Sequence, residues 1–297
     1  MYEEEKQLIY LPLHPIFCKS ETVNDLTVPS LPELPEIWQQ TLNWQPTAEQ
    51  QVKLQRLYEL ILEGNQKLNL TRITDPQEFW EKHLWDSLRG IAPLLRDGDG
   101  EVGAPTPLGE WGLGAMGRWG DREIDFTPPP HHFIDIGTGA GFPGIPVAIA
   151  LSDCTVTLMD STRKKIAFIE NILPELKLDN VKTLIGRAEE IGQQSQHRQN
   201  YDVAMIRAVG NASVCAEYTL PLLKQGGLAI IYRGNWTQEE TTALTDAVKL
   251  LGGEIKAIEQ FTTPLSNSLR HCLYLRKIAT TPTKFPRAVG IPTHKPL

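Results

Sequence analysis

Apolar residues recur along this chain in two rhythms, and the change from one to the other divides it. From Thr47 the apolar positions Leu54, Leu57, Tyr58, Ile61 and Leu62 fall three and four apart, the spacing of one helix face. Thr47 with Gln50 three residues on makes a capping box at the start, and Gly64 suits the end. After NLTRIT, the pair Asp75-Pro76 opens a second helix, expected to run through His83, Trp85 and Leu88 to about Leu95. Beyond Pro130 the rhythm shortens to apolar runs of about five residues, separated by helical segments. Strands are expected at His132–Ile136, Thr155–Met159, Val181–Ile185, Val203–Ile206, Leu228–Tyr232, Glu254–Phe261 and His271–Arg276. Helices are expected at Ile145–Leu151, Lys165–Leu173, Val214–Leu223 and Glu239–Leu251. Repeated strand–helix units need a mostly parallel sheet covered on both faces. The last two strands are joined by a short connection, so they should form an antiparallel hairpin.

Two segments carry neither rhythm. Roughly the first thirty-five residues are rich in proline, and DGDGEVGAPTPLGEWGLGAMGRWGDREIDFTPPP is dense in glycine and proline. The expected organisation is an extended or disordered arm (1–36), a helical lobe (37–96), an inserted loop or linker (97–130), a sheet domain (131–277) and a basic tail (278–297).

Composition narrows the class. The amino terminus, MYEEEKQLIY, is acidic where an export signal is basic, and no apolar run is long enough to span a bilayer. The cysteines (Cys18, Cys154, Cys215, Cys272) form no CxxC pair, and no ligand set for a metal completes itself. A reduced cytoplasmic protein, most simply a monomer, is expected. The formal net charge of −7 argues against a nucleic-acid partner when taken alone. Its distribution argues the other way: from Arg270 to Leu297 there are six basic residues and no acid, and Arg163-Lys164-Lys165 form a second cluster.

The candidate chemistry lies in HFIDIGTGAGFPG. A glycine loop after the first strand of a parallel sheet sits where such sheets bind ligands. The dinucleotide fingerprint GxGxxG needs glycine where Phe142 stands, which removes a nicotinamide-dependent oxidoreductase, and there is no GxxxxGK[ST] phosphate loop. Asp135 precedes the glycines, and Asp160 ends the second strand, where an acid can accept from both hydroxyls of a ribose. An adenosine without a pyrophosphate fits best, and S-adenosylmethionine has one, with an ammonium for an acid near the loop.

Together with the polar GRAEE after the third strand, these features resemble the class I methyltransferase fold: a Rossmann-like α/β sheet of about seven strands, here with a small N-terminal helical lobe. DIGTGAGFPGIPVAI, LMDSTRKKIAFI, the RAEE of 187–190, YDVAMIRAV, LLKQGGLAIIYRG and KFPRAVGIPTHKPL come in one order, with NLTRIT and HLWDS upstream. This order resembles the RsmG (GidB) family of bacterial 16S rRNA (guanine-527-N7) methyltransferases, from about Leu42 to Leu297 apart from the insertion.

The resemblance implies transfer of a methyl group from S-adenosylmethionine to guanine N7 in the 530 loop of 16S rRNA, within the small ribosomal subunit or its precursor. N7 already carries a free lone pair, so positioning rather than a general base would dominate. The implied catalytic residues are Arg207, Asn69, His83 and Asp86, with His83 and Asp86 three apart on one helix face. Arg207 is expected to touch guanine O6 alone or a phosphate, because its usual pairing with O6 and N7 would block the reacting atom. The implied cofactor residues are Asp135, Gly137, Thr138, Gly139, Gly141, Phe142, Asp160, Ser161, Ala188, Glu189 and Arg207. Contacts to RNA are expected from Arg163, Lys164, Lys165, Arg233, Lys284, Arg287 and Lys295. Arg233 stands where the family has lysine. Methylation of another RNA or a small molecule, or a non-catalytic ribosome-binding role, are the competing readings.

Overall fold

The computed structural model describes residues 29–95 and 130–297. The expected insertion up to residue 129 and most of the expected arm lie outside the described residues. A single seven-stranded sheet organises the chain, in the order β3-β2-β1-β4-β5-β7-β6. Its strands are β1 (His132–Ile136), β2 (Thr155–Asp160), β3 (Val181–Ile185), β4 (Tyr201–Arg207), β5 (Leu223–Arg233), β6 (Gly253–Thr262) and β7 (Leu269–Lys277). The first five run parallel, and β7 is antiparallel to both β5 and β6. This is the Rossmann-like class I methyltransferase sheet expected from the sequence. Strand order reverses between β1 and β4, so the crevice for a ligand opens at their carboxyl ends.

Each expected strand is present, with ends displaced by up to five residues. The largest displacement is in β5, whose start at Leu223 pairs with Tyr201 across an irregularity before the regular register resumes at Val203–Leu228. Central strands are apolar on both faces because both are covered. One face carries α5 (Gly144–Ala150), α6 (Arg163–Leu176) and the helical lobe; the other carries α8 (Ala212–Thr219), α9 (Gln238–Leu250) and the C-terminal segment.

The lobe begins earlier than expected. Helix α1 (Pro35–Leu42) starts inside the segment expected to be an extended arm, and its Trp38 packs against Trp44 and Trp80. A buried tryptophan removes on the order of 200 Å² from water, worth about 5 kcal/mol before ordering costs. That burial accounts for a helix with no side-chain cap. Helix α2 (Ala48–Asn65) has the expected capping box between Thr47 and Gln50. Gly64 does not stop it: the helix continues to Asn65, and a Cβ at Gly64 would meet the Phe168 ring at 2.3 Å. This glycine lets α2 approach α6.

The second lobe helix is not continuous. Asp75 caps α3 (Pro76–Phe79), then come a π-helical turn over Trp80–Trp85, α4 (Asp86–Arg89) and a 3₁₀ turn over Ala92–Leu94. A π turn inserts one residue into the helical repeat and rotates the residues beyond it, and such turns concentrate at functional sites. The lobe is joined firmly to the sheet. Tyr232 Oη donates to Ser87 O, Tyr274 Oη donates to Gly90 O, and Arg89 pairs with Glu259 on β6 at 3.1 Å.

The basic tail is docked rather than free. Arg198 donates to the carbonyls of Gly192, Thr281, Pro282 and Phe285, and the tail ends in α10 (Ile291–His294) beside α8. Among the described residues no helix is long and apolar enough to cross a membrane.

Candidate active site

At the end of β1 the chain turns through Gly137, Gly139 and Gly141, whose φ angles of 72°, 62° and 101° favour glycine. Gly137 and Thr138 N–H both donate to Met159 O, which ties the loop to the end of β2. A Cβ at Gly141 would meet Ile145 Cδ1 at 2.3 Å, whereas one at Gly139 would meet nothing closer than 3.9 Å. Gly139 therefore presents bare backbone to the crevice.

Two carboxylates flank this loop. Asp135 is completely buried; its Oδ2 accepts from Thr138 Oγ1 at 2.6 Å and from Gly144 N–H at 2.8 Å. Its Oδ1 is buried without a hydrogen-bond partner among the described residues. Burial pushes the Asp135 carboxyl up to about 6 against the Thr138 and Gly144 hydrogen bonds, which hold it down. Asp160 is anchored instead: Oδ2 accepts from Gly139 N–H and Oδ1 from Thr162 N–H. Each Asp160 oxygen keeps a second lone pair. An unpartnered carboxylate oxygen, bare loop backbone and a second acid with spare acceptors together fit a ligand with an ammonium and a ribose.

A second cluster joins the lobe to the end of β4. Arg207 Nη1 donates to Lys82 O at 2.9 Å and to Asp86 Oδ2 at 3.1 Å, and Nη2 lies 3.4 Å from His83 Nδ1. His83 Nε2 is 2.8 Å from Thr71 Oγ1, and the imidazole stacks on the Phe142 ring at 4.5 Å and 13°. Burial first, then the charges of Arg207 and Lys82, push His83 down to about 3. The ring is neutral at physiological pH. A guanidinium has only donors, so Nδ1 keeps its lone pair and the proton sits on Nε2, facing Thr71. Burial raises the Asp86 carboxyl, and Arg207 opposes that shift.

Arg207 is thus held in an ion pair with Asp86, and Asp86, which shares a helix face with His83 in the sequence, has Arg207 rather than His83 as its partner. The inserted π turn and the reach of Arg207 from the sheet account for both. The Phe142 ring packs between His83 and Phe79 of the helical lobe, with the Arg207 guanidinium 5.8 Å from its centroid. Asn69 is exposed. Asn65 organises that loop instead, accepting from Leu70 and Thr71 N–H and donating to Thr71 O. Thr71 belongs to the NLTRIT string itself, whereas Asn65 carries no sequence signal beyond its closeness to that string.

Of the remaining cofactor candidates, Ser161 is exposed beside Asp160 and Ala188 is buried at the start of α7 (Ala188–Ile191). Glu189 turns away from the glycine loop: Oε1 accepts from Tyr218 Oη at 2.9 Å and Gly290 N–H at 3.1 Å, pinning the tail.

The expected RNA-contacting cations divide in two. Arg163, Lys164, Lys284 and Lys295 are exposed. Lys165 is half-buried, with Nζ 4.0 Å from where a Gly139 Cβ would stand. Arg233 turns inward, donating to Gly210 O and pairing with Glu240, the third residue of α9. Arg287 is likewise committed: it donates through Nε and Nη2 to the fully buried Glu217, whose Oε1 also accepts the Arg287 main-chain N–H. Neither can serve as a free phosphate contact without breaking an ion pair.

Residues 50–102 and 124–271 match the family model GidB, described as rRNA small subunit methyltransferase G. The chain is 67% identical over 267 residues to ribosomal RNA small subunit methyltransferase G of Nostoc punctiforme, covering 90% of this chain and 98% of that protein. It is 53% identical over 275 residues to the protein of the same name from Trichodesmium erythraeum, covering 93% and 98%. The protein of that name from Synechococcus elongatus is 51% identical over 260 residues, covering 88% and 95%. The chain belongs to the GidB family of methyltransferases.

Proposed function

We propose that this protein transfers a methyl group from S-adenosylmethionine to N7 of guanine 527 in the 530 loop of 16S rRNA, acting as a cytoplasmic monomer on the small ribosomal subunit or its precursor. The observation that carries the reading is the buried Asp135 Oδ1, without a partner among the described residues, beneath a glycine loop that opens at the switch point of the sheet. The names of the relatives supply rRNA as the substrate class, and the motif resemblance supplies the guanine.

When bound, S-adenosylmethionine supplies an electrophilic methyl group on its sulfonium. Asp135 would hold its ammonium, Asp160 its ribose hydroxyls and Gly139 its close approach. Attack by guanine N7 needs alignment and no base, and the site agrees. His83 directs its lone pair at Arg207, and Asp86 is neutralised by the same guanidinium, so neither is free to take a proton. The base becomes cationic as N7 is methylated. Because Asp86 balances its charge, Arg207 can offer a donor to guanine O6 without adding a net positive charge beside that ring.

The test is methyl transfer to small subunits lacking the modification, with the product then mapped by reduction and strand cleavage at N7-methylguanosine. A single new cleavage at guanine 527 is expected. Methylation at another position, or no transfer to rRNA, would overturn the reading.

A further inference from the structure

The hairpin between β6 and β7 stands at the carboxyl edge of the sheet, because β7 pairs Arg233, the last residue of β5, with His271. Its tip, residues 263–268, is fixed from two directions. Internally, Thr263 N–H donates to Ser268 O, Asn267 N–H donates to Thr263 O, and Ser268 N–H donates to Thr263 Oγ1. Externally, Glu81 of the π-helical turn accepts Leu265 N–H at 2.6 Å and Ser266 N–H at 2.8 Å on one oxygen. Glu81 is buried, and these bonds hold its carboxyl below the usual range although burial alone would raise it. The same turn supplies Lys82 O and His83 to Arg207. One turn of helix thus fixes both the arginine of the active site and the hairpin tip beside it.

Leu265 and Leu269 are 37% and 38% exposed; Arg270, the residue after Leu269 in β7, is half-buried and points to the opposite face of the strand, the side on which Asp86 lies. Arg270 donates to Leu269 O and has no carboxylate within ion-pair distance among the described residues. It nevertheless lies near enough to Asp86 to favour that residue's charged form. Aliphatic side chains such as leucine can wedge against the faces of unstacked bases, and an arginine nearby matches a backbone phosphate.

We propose that the β6–β7 tip is an RNA-contacting wall of the active site: Leu265 and Leu269 pack against nucleotides flanking the target guanine, and Arg270 pairs with a backbone phosphate of that single strand. The inference rests on the rRNA reading above and deepens it.

Binding to unmodified small subunits is measured for the wild type, Arg270→Gln and Leu265→Ser over a range of salt, with S-adenosylmethionine affinity measured in parallel. Loss of one phosphate contact should lower the slope of log affinity against log salt by about 0.7 to 0.9 for Arg270→Gln. Leu265→Ser should weaken particle binding several-fold with the wild-type slope. Both variants should bind S-adenosylmethionine as the wild type does, and KM for the particle should rise while kcat holds. Wild-type affinity and slope in Arg270→Gln would overturn the inference while the wild type still methylates rRNA. A wild type that methylates no rRNA would overturn the functional reading, and this inference with it.

Discussion

Replacing Asp135 by asparagine should stabilise the fold at neutral pH while weakening cofactor binding. Asp135 is buried, and one of its oxygens has no partner among the described residues. Its carboxyl is pushed up from 3.8 to about 6, chiefly by burial. A raised carboxyl contributes stability that is fully present below pH 3.8 and lost as pH rises through 6. Above that, the buried charge costs about 3 kcal/mol, from 1.36 kcal/mol for each of roughly two units. Asparagine keeps the oxygen that accepts from Thr138 and Gly144 but places an NH₂ where Oδ1 lay, and an unpaired buried donor costs about 1–2 kcal/mol. The net expectation is a gain of about 1–2 kcal/mol at pH 8, shrinking through zero and becoming a loss by pH 4. Urea unfolding of both proteins from pH 4 to 8, without cofactor, measures it. Calorimetry should show S-adenosylmethionine affinity falling about 10- to 100-fold, the loss of one charge-assisted hydrogen bond. A difference in stability that does not vary with pH, or a variant less stable at pH 8, would refute the argument.

Two further expectations concern the imidazole and the ion pairs. His83 is held down to about 3, so its contribution to stability is complete above pH 6.5 and declines as pH falls below it. Between pH 7 and 5 the wild type should lose about 1–2 kcal/mol more than His83→Leu in urea unfolding, because the leucine variant has no proton to take up there. Glu217→Ala leaves the Arg287 guanidinium without its buried partner, a change worth about 3 kcal/mol. Limited trypsin digestion should then cleave at Arg287 far faster than in the wild type, and an equally protected tail would show that Arg198 and Glu189 suffice to hold it.

The sheet was legible in the sequence because short apolar runs separated by helical spacing admit few other arrangements. The capping box at Thr47 and the Asp75-Pro76 start were equally plain, since caps are satisfied within four residues of chain. Interruptions were not. Nothing in WEKHLWDS signals a π turn, because an extra residue in a helix is decided by what the widened turn can bond to. Pro35–Leu42 forms a helix through tryptophan burial, a contact with Trp80 far along the chain.

In the site, the same division holds residue by residue. Sequence alone determined the glycine loop and the two acids that flank it, because these depend on residue type at fixed local spacing. It also placed Arg207 at a strand end. Only the tertiary structure decided what each charge faces: Arg207 against Asp86, Arg287 against Glu217, Arg233 against Glu240, and Asp135 Oδ1 against no partner among the described residues. A charge is written in the sequence, but its partner lies seventy or more residues away in two of these pairs. Burial of the partner, rather than the charge itself, separates Arg287, held by the fully buried Glu217, from Arg233, whose partner Glu240 is partly exposed.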